Sequence, residues 1–484
     1  MLFLWRDNNL RKILMRSAMP LGEDKNISEV LIHNLVGDNT GNLLFQNSVA
    51  RVIMTEDTEI TTINVKRKFS QEEIDRFNSE YEMFLIPLAN AFRISFIDQF
   101  RYLTDLVERL TIPCVVIGIG IQRNLDATAW NYPYDEAATE FVKAVLNKSE
   151  IIGIRGELTA EYLKRHGFVP EKDFTVIGCP SLYTYGDMLP ELNLPELTPK
   201  SKVSVNFKTM LRPELYSFIR KEIDKFEDCT FVTQVIKEIK AMYVGYPHPE
   251  MENGREVPKD YPIHFSNEMM TSNHMVGFLD QTSWLNYLAT RDFNFGSRIH
   301  GDISSLLAGT PCYIFASDGR VKELAEYHNI PHMSLFDIKD DTDIFDLYEK
   351  ADYSLLQKGH KQRVSHYLDF LDKNGVKRID RDVLNSKDAP FDRMHQSVYG
   401  EIRPFPTVSL DEQERRIHEF IGVMEAKEKN LKDRYAEYRK DTNAKLKENK
   451  AQQKKLEKEL ALIKSSKFYK MKVKYDAIKN KFRY

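Results

Sequence analysis

Short apolar runs rich in β-branched residues alternate with amphipathic stretches over residues 30–183, a pattern typical of βαβ units around a parallel sheet. The predicted strands are 30–35, 84–87, 114–121, 151–154 and 174–177. The predicted helices between them are 43–53, 71–82, 97–110, 136–146 and 157–166. The first half of the chain therefore predicts a Rossmann-like domain.

The same alternation restarts after a proline-rich stretch at 189–199. Here the predicted strands are 202–206, 230–236, 292–295 and 312–315, and the predicted helices are 212–226, 283–290, 302–308 and 321–328. The fold class is thus α/β, with two Rossmann-like domains, 1–192 and 193–375, facing a cleft. Ligands of open parallel sheets bind beyond the carboxyl ends of the strands, so we expect the active site in that cleft.

A long helix is predicted near the end of the chain, after a linker at 376–409. Residues 410–464 are dominated by Glu, Lys, Arg and Gln and contain no proline. Apolar residues follow a 3.5-residue register, which is interrupted at Thr442, Lys445, Asn449 and Gln452. Both a leaky coiled coil, with a homodimer through 410–464, and a solvated single helix fit this pattern.

The last stretch, 465–484, is basic and amphipathic. Between 467 and 484 there are seven basic residues and one acidic residue, and apolar side chains recur at helical spacing. Such a helix can lie on an anionic membrane surface. A docked helix with solvated lysines explains the pattern equally well.

Composition narrows the classes of function. Hydrophobic residues make up 42% of the 484 residues, enough for sizeable cores, and 69 basic against 72 acidic residues leave a net charge of −3. The chain as a whole has no basic excess for nucleic acid, so no such partner is predicted. Four widely spaced cysteines without a CxxC pair indicate free thiols, and the first apolar run is too short for a signal peptide. We expect a cytoplasmic protein, peripheral at the inner face of the membrane if the basic tail binds lipid.

Three arginines stand at predicted strand ends. Arg298 and His300 follow the strand 292–295, where a helix N-terminus and a guanidinium group can jointly hold an anion and His300 can transfer a proton. Arg320 opens a helix, a position unfavourable for a cation unless it faces an anion. Arg155 follows the strand 151–154 in the other domain. Three cations around one cleft predict a small, multiply charged anionic ligand.

Neither a metal site nor a dinucleotide site is predicted. Asp341 and Asp343 have the DxD spacing of metal-dependent glycosyltransferases, but they precede an apolar stretch and are interpreted as helix caps. Gly118 and Gly120 lack the third glycine of the dinucleotide-binding motif.

The motifs in the second domain resemble the polysaccharide pyruvyl transferase family. They are Gly-Ser-Arg-Ile-His-Gly at 296–301, Ala-Gly-Thr-Pro at 308–311, and Asp-Gly-Arg at 318–320 followed by Glu323 and Leu324. Further matches in order are Asn-Thr-Gly-Asn at 39–42, Gly-Ile-Gly-Ile-Gln at 118–122, Ile-Arg-Gly-Glu-Leu-Thr-Ala at 154–160 and Val-Ile-Gly-Cys-Pro at 176–180. The resemblance is colinear and covers about 30–331.

This resemblance implies a GT-B-like fold that uses phosphoenolpyruvate as donor and a sugar diol as acceptor, without a cofactor. It assigns donor binding to Arg155 and Arg320 and matches a family histidine to His300. It also places Gly41 and Asn42 in a substrate-binding loop. Arg320 stands where the family often has lysine, and Asn42 where an aspartate is common.

The predicted function is transfer of the pyruvyl group of phosphoenolpyruvate to a surface polysaccharide or its lipid-linked oligosaccharide precursor. The product is a pyruvate ketal, and phosphate is released. Arg155, Arg298 and Arg320 would hold the donor, and His300 would act as general acid or general base. Two alternatives stay open: a GT-B glycosyltransferase that uses a nucleotide sugar, and a non-catalytic scaffold that assembles through its C-terminal helix.

Overall fold

The computed structural model describes residues 10–21, 25–209, 211–246, 250–252, 255–264, 267–394 and 399–465. The predicted basic tail at 467–484 lies outside these residues. The chain forms two compact units, one up to Ile417 and one from His418, and each is described by itself.

The strands are β1 (Arg11–Arg16), β2 (Thr58–Ile63), β3 (Met83–Pro87), β4 (Cys114–Ile117), β5 (Ile152–Ile154), β6 (Phe174–Val176), β7 (Lys202–Asn206), β8 (Asp228–Thr233), β9 (Met251–Glu252), β10 (Arg255–Glu256), β11 (Met275–Gly277), β12 (Phe293–Gly296), β13 (Cys312–Ala316) and β14 (His332–Ser334). The α-helices are α1 (Ile27–His33), α2 (Gly41–Ile53), α3 (Gln71–Glu80), α4 (Ile97–Arg109), α5 (Asp135–Leu146), α6 (Glu157–Arg165), α7 (Pro213–Ile223), α8 (Ile236–Val244), α9 (Glu268–Thr271), α10 (Gln281–Leu288), α11 (Ile299–Leu307), α12 (Gly319–His328), α13 (Ile344–Glu349), α14 (Ser354–Lys373), α15 (Arg381–Leu384), α16 (Pro390–Met394) and α17 (Leu410–Ser465). Short 3₁₀ turns occur at Ile94–Phe96, Pro180–Tyr183, Leu335–Asp337 and Phe405–Thr407.

The first lobe is built on a parallel sheet of order β2-β1-β3-β4. A bridge between Ile119 and Ile154 continues it to the parallel pair β5-β6. The strand order reverses between β1 and β3, so a crevice opens at the carboxyl ends of these two strands.

The second lobe is built on a parallel sheet of order β11-β8-β7-β12-β13-β14. When the six strands of this sheet are numbered from 1 in chain order, their order is 3-2-1-4-5-6, as in dinucleotide-binding sheets. The strand order reverses between β7 and β12. The two sheets confirm the predicted fold class, an α/β protein with two Rossmann-like lobes facing a cleft. The exact boundaries given for the two predicted domains stay predictions.

An apolar core joins the lobes beside the cleft. It includes Val49 and Ile53 of α2 from the first lobe and Ile303 and Leu306 of α11 from the second. Each fully buried side chain of this kind contributes about 1.5–3 kcal/mol to folding. The free cysteines are also buried, as the sequence predicts. The packing of α2 on α11 brings the two crevices to one place.

The predicted strand at 30–35 is wrong. Most of it belongs to α1, which starts with a reciprocal capping box: the Asn26 side chain accepts the Glu29 N–H, and the Glu29 carboxylate accepts the Asn26 N–H. Asn34 ends the helix in the left-handed region at φ 52°. The first strand is β1 instead, and neither it nor β2 was predicted.

Helix α11 begins three residues before the predicted start at 302. Arg298 is its N-cap, with extended backbone at φ −112° and ψ 97°. His300 therefore lies in the first turn of the helix, and not in a preceding loop. Similarly, β8 ends at Thr233, whereas the predicted strand continued to residue 236.

The chain returns to the first lobe after the second sheet. Asn374, just past α14, accepts the N–H groups of Glu150 and Ile151 through its Oδ1. Arg51 of α2 forms a 2.7 Å ion pair with Asp392 of α16. Through these contacts, the segment after α14 packs against the first lobe.

The predicted long C-terminal helix is confirmed as α17, a helix of 56 residues. Its apolar register and the homodimer remain predictions, because the structure contains one chain. None of the helices among the described residues is both long and apolar enough to cross a bilayer.

Candidate functional site

A cavity of about 340 Å³ lies between the lobes, where the crevices of the two sheets meet. Its walls include the loops that follow β1, β2, β3, β7 and β12, the loop between α1 and α2, and the start of α12. The basic side chains lining it are Arg16, Lys66, Arg93, Lys208, Arg298 and Arg320, and the acidic one is Asp38. His300 and Asn42 also reach the cavity. The excess of cations suits a multiply charged anion.

Arg298 lines the cavity but is already paired. Its Nη2 donates to Glu238 Oε1 at 3.1 Å, and its Nε donates to the Phe207 carbonyl at 2.9 Å. Burial opposes the charge, but fully buried Glu238 and Tyr261 outweigh it and raise the pKa of Arg298. This guanidinium group is therefore held in one orientation with its charge largely compensated.

A buried amide network supports the turn that carries Arg298 and His300. Asn206 accepts the Arg298 N–H through Oδ1 at 2.8 Å and donates through Nδ2 to Asp302 Oδ1 at 3.0 Å. Asn294 donates to the same Asp302 oxygen at 2.8 Å. Burial raises the pKa of Asp302 to about 7, against the lowering effect of these two amides. The ends of β7 and β12 are thus tied to the start of α11.

His300 packs directly against the first lobe. A Cβ on Gly41 would lie 2.6 Å from His300 Nδ1, so only glycine allows this approach. On the other side, His300 Nε2 lies 3.8 Å from Cys179 Sγ. Burial, with the nearby charges of Arg155 and Arg320, lowers the pKa of His300 to about 3. The imidazole is therefore neutral at physiological pH and able to accept a proton.

Asn42 shapes the loop beside Gly41. Its Nδ2 donates to the carbonyls of Val36 and Gly37, both at 2.9 Å. An ionised aspartate at this position could not donate these hydrogen bonds. Asn42 therefore stabilises the conformation of the loop.

The same loop is docked onto the second lobe by backbone bonds. The Thr40 N–H donates to the Gln234 carbonyl at 2.8 Å, and the Ile236 N–H donates to the Asp38 carbonyl at 3.1 Å. The N-terminus of α2 is thereby placed against His300.

Arg155 lies behind the cavity wall and is 1% exposed. Its Nε and Nη2 have no hydrogen-bond partner within the described part of the chain. A Cβ on Gly120 would lie 2.2 Å from Arg155 Cδ, so this glycine makes room for the side chain. Burial lowers the pKa of Arg155 to about 10. An unpaired, buried guanidinium group indicates a place for an anionic ligand.

Glu323 is a buried acid whose charge acts on Arg155, but its hydrogen bonds go to Thr159. It accepts the Thr159 N–H through Oε2 and the Thr159 hydroxyl through Oε1, both at 3.0 Å. Burial raises the pKa of Glu323 to about 7, with Arg155 opposing the shift. Its bonds to Thr159 connect α12 of the second lobe to α6 of the first.

Arg320 lies in the first turn of α12, beside the N-cap Asp318. Asp318 accepts the Val321 N–H at 3.0 Å, and its other oxygen accepts Lys208 Nζ at 2.8 Å and Arg320 Nη2 at 3.5 Å. Burial lowers the pKa of Lys208, with Asp318 opposing the shift. Lys208 lies closer to this oxygen than Arg320 does, so Asp318 compensates the charge of Arg320 only in part.

Residues 90–319 match the polysaccharide pyruvyl transferase family. This match confirms the family that the sequence motifs predict and supports a transferase that modifies polysaccharides. The matched segment contains Arg155, Arg298 and His300 and ends one residue before Arg320. No curated protein matches the chain.

Similar solved structures share little sequence with the chain. An uncharacterized protein of Klebsiella pneumoniae is 12% identical with a TM-score of 0.35, over 67% of this chain and 93% of its own. UDP-GlcNAc 2-epimerase of Methanocaldococcus jannaschii, in complex with UDP-GlcNAc and UDP, is 10% identical with a TM-score of 0.38, over 75% and 99%. The glycosyltransferase SnogD of Streptomyces nogalater is 11% identical with a TM-score of 0.30, over 74% and 96%. These similarities are too distant to bear on activity.

The fold brings the predicted site residues Arg155, Arg298, His300 and Arg320 close together. Arg298, Arg320 and His300 line the cavity, and Arg155 lies close enough to affect the pKa of His300. The predicted cap Asp343 is confirmed, since it accepts the Phe345 N–H at the start of α13. No group of three His, Cys, Asp or Glu side chains in the described ranges is arranged to hold a metal ion.

Four cationic residues of the cavity were missed in the sequence, among them Lys66, which follows the unpredicted strand β2. Arg16 ends β1, Arg93 follows β3, and Lys208 follows β7. Each obeys the strand-end rule that singled out Arg298, but β1 was not recognised and the loops after β3 and β7 carry no motif. Correct assignment of the first strand would have found Arg16.

Proposed function

We propose that the protein transfers the pyruvyl group of phosphoenolpyruvate to two hydroxyl groups of a sugar, with formation of a ketal and release of phosphate. The observation that carries this proposal is the cavity itself: six basic side chains, one acidic side chain and a neutral histidine meet where both sheets reverse their strand order. Phosphoenolpyruvate, with a phosphate and a carboxylate on three carbons, matches this charge and size.

Donor binding is assigned to Arg155 and Arg320. Arg155 is buried without an acidic partner, and Arg320 shares Asp318 with Lys208 at a longer distance. Arginine binds phosphate and carboxylate through two parallel N–H groups, and here it would also offset the charge that develops on the leaving phosphate. Arg298 is held by Glu238, so its role is to shape the site and orient the donor.

His300 is assigned to proton transfer. Since burial and two arginines keep it neutral, it can take a proton from an acceptor hydroxyl, and the negative donor raises its pKa by compensating Arg155 and Arg320. The protonated imidazole can then deliver that proton to the methylene carbon of the donor. The proton of the second hydroxyl leaves with phosphate, so the two hydroxyl protons balance the reaction.

The acceptor is assigned to a polysaccharide or its lipid-linked precursor, in keeping with the family. The basic tail at 467–484 would bring the protein to an anionic membrane, and 410–464 would mediate a homodimer. Flotation with vesicles that contain an anionic lipid tests membrane binding, by comparing the full chain with a chain that ends at 465. Sedimentation equilibrium tests the homodimer.

The donor is tested by phosphate release from phosphoenolpyruvate with a panel of sugar and lipid-linked sugar acceptors, alongside calorimetric binding of phosphoenolpyruvate. We expect acceptor-dependent release that falls about 100-fold or more in Arg320→Gln. The matched control is Lys322→Gln, which removes an exposed cation from the same helix and should stay within twofold. Binding of a nucleotide sugar without binding of phosphoenolpyruvate would instead favour a glycosyltransferase.

A further inference from the structure

The first lobe contributes two arginines to the cavity that donor binding does not use. Arg16 is the last residue of β1, and Arg93 precedes the short turn Ile94–Phe96 that follows β3. β1 and β3 are the neighbours between which the first sheet reverses its strand order. Both arginines therefore occupy the ligand-binding position of a parallel sheet.

Both guanidinium groups are arranged around one aromatic ring. The Cζ atoms of Arg16 and Arg93 lie 5.7 Å and 5.8 Å from the ring centroid of Phe96. Arg16 also donates to the Pro87 carbonyl at 3.2 Å and to Gln99 Oε1 at 3.4 Å. These neutral partners and the ring fix the orientation of the side chains without compensating their charge.

Arg16 and Arg93 lack acidic partners among the described residues. The Nε of each is buried with no hydrogen-bond partner there, and no described carboxylate forms an ion pair with either. Burial and the charge of Arg93 lower the pKa of Arg16 to about 10. Burial and the charge of Arg320 lower the pKa of Arg93, with only Asp38 opposing. Two half-buried like charges held together are unfavourable, and an anion bound between them would relieve this.

The cavity has more basic side chains than the binding of one donor molecule requires. The proposed function assigns the phosphate and carboxylate of phosphoenolpyruvate to Arg155 and Arg320, and Arg298 is compensated by Glu238. Of the other cations, Lys208 pairs with Asp318 and Lys66 is exposed to solvent. Arg16 and Arg93 are left over. We propose that they form a second oxyanion subsite, which binds a phosphate or carboxylate group on the acceptor sugar. That the occupant is the acceptor rests on the proposed function; the subsite itself rests on the geometry around Phe96.

Calorimetry with defined probes tests this subsite at low, constant ionic strength in buffers free of phosphate and sulfate. The probes are phosphoenolpyruvate, glucose 1-phosphate, glucuronate and glucose, with the three sugars titrated after phosphoenolpyruvate has filled the donor site. The variants are Arg16→Gln, Arg93→Gln and Arg320→Gln. The charge-matched control is Arg101→Gln, which removes an exposed cation from α4.

We expect glucose 1-phosphate or glucuronate to bind at least tenfold more tightly than glucose, and the tighter of the two identifies the acceptor's anionic group. Arg16→Gln and Arg93→Gln should each weaken that binding at least tenfold while changing the dissociation constant of phosphoenolpyruvate less than threefold. Arg320→Gln should do the reverse, and Arg101→Gln should change neither. Arg16→Lys should recover part of the loss because it keeps the charge, and thermal melting confirms that the variants fold alike.

Two outcomes overturn the subsite. One is that neither anionic sugar binds the wild type more tightly than glucose does. The other is that Arg16→Gln and Arg93→Gln weaken the binding of phosphoenolpyruvate as strongly as Arg320→Gln does. That result would place the donor at these two arginines. If phosphoenolpyruvate does not bind the wild type at all while anionic sugars bind in an Arg16-dependent way, the subsite stands and the proposed donor is wrong.

Discussion

The two lobes bring cations to the same cavity in opposite ways. In the second lobe each cation has an acid beside it: Arg298 pairs with Glu238, and Lys208 and Arg320 share Asp318. In the first lobe Arg16 and Arg93, which line the cavity, and Arg155, which lies behind its wall, form no ion pair within the described ranges. Arg16 and Arg93 lie over the ring of Phe96, and Arg155 is buried.

Because of this difference, the paired cations are held in a fixed orientation, whereas the unpaired cations attract anions more strongly. A cation paired with a buried acid is held in one place, but its field is largely cancelled. An unpaired buried cation keeps its field and gains most when an anion enters. The second lobe therefore supplies a rigid frame for His300 and, through the partly compensated Arg320, some of the attraction for anionic ligands. The first lobe supplies much of the remaining electrostatic attraction.

The largest expected effect is on stability, in the second lobe. Arg298→Gln leaves Glu238 buried without its cation and should lower the free energy of unfolding by about 3–5 kcal/mol. The double variant Arg298→Gln with Glu238→Gln should recover most of this loss, because no uncompensated charge remains. Urea unfolding measures both, and equal stability of Arg298→Gln and wild type would contradict the pairing.

Arg155→Gln should show the opposite behaviour. No acid loses a direct partner, so the free energy of unfolding should stay within about 1 kcal/mol of the wild type. The kcat/KM for phosphoenolpyruvate should fall about 100-fold to 1000-fold, because the donor loses a buried cation. Phosphate release and urea unfolding on the same preparation measure the two effects. A loss of stability as large as that of Arg298→Gln would remove the distinction between the lobes.

The contact between the lobes at His300 is tested by Gly41→Ala. The added Cβ would lie 2.6 Å from His300 Nδ1, so the imidazole must move, and we expect kcat to fall about 10-fold to 100-fold. Gly422→Ala is the control, since its Cβ would meet nothing within 4 Å. Unchanged kcat in Gly41→Ala would show that the position of His300 is not critical.

A further effect is the pH dependence that burial and the charges of Arg155 and Arg320 impose on His300. The pKa of His300 falls from about 6.5 in the unfolded chain to about 3 in the folded protein, so between these values only the unfolded chain binds the proton. Stability contributed by the neutral imidazole is present above pH 6.5 and is lost as the pH falls. Relative to His300→Asn, the wild type should lose about 1.4 kcal/mol per pH unit below pH 6.5.

Urea unfolding of both proteins between pH 7 and 4 measures this difference. The buried acids Asp302 and Glu323, whose pKa values are raised to about 7, act with the opposite sign, but they are present in both proteins and cancel in the comparison. In an Arg155→Gln background the loss should level off at a higher pH, because one of the charges that depress the pKa of His300 is gone. A flat difference would show that His300 is protonated alike in the folded and unfolded states.

Local patterns were enough to locate much of this site. Arg298, His300 and Arg320 stand where a strand passes into a helix, at the N-cap or in the first helical turn, and such junctions are visible in the sequence without knowledge of their neighbours. The run at 30–35 misled the prediction because four to six apolar residues fit a strand or a buried helix equally well. Only the capping box of Asn26 and Glu29 separates the two, and it lies outside the apolar run.

By itself, the sequence determined the α/β class, the family, the long C-terminal helix and the strand-end position of the main cations, because these depend on periodicity and turn chemistry within a few residues. The tertiary structure alone decided which cations are compensated and which are not. Arg298 meets Glu238 across 60 positions of the chain and Lys208 meets Asp318 across 110, while Arg16 and Arg93 meet no acid in the described part of the protein. Coulomb interactions depend on distance and burial in space, and neither is encoded in the local pattern of residues.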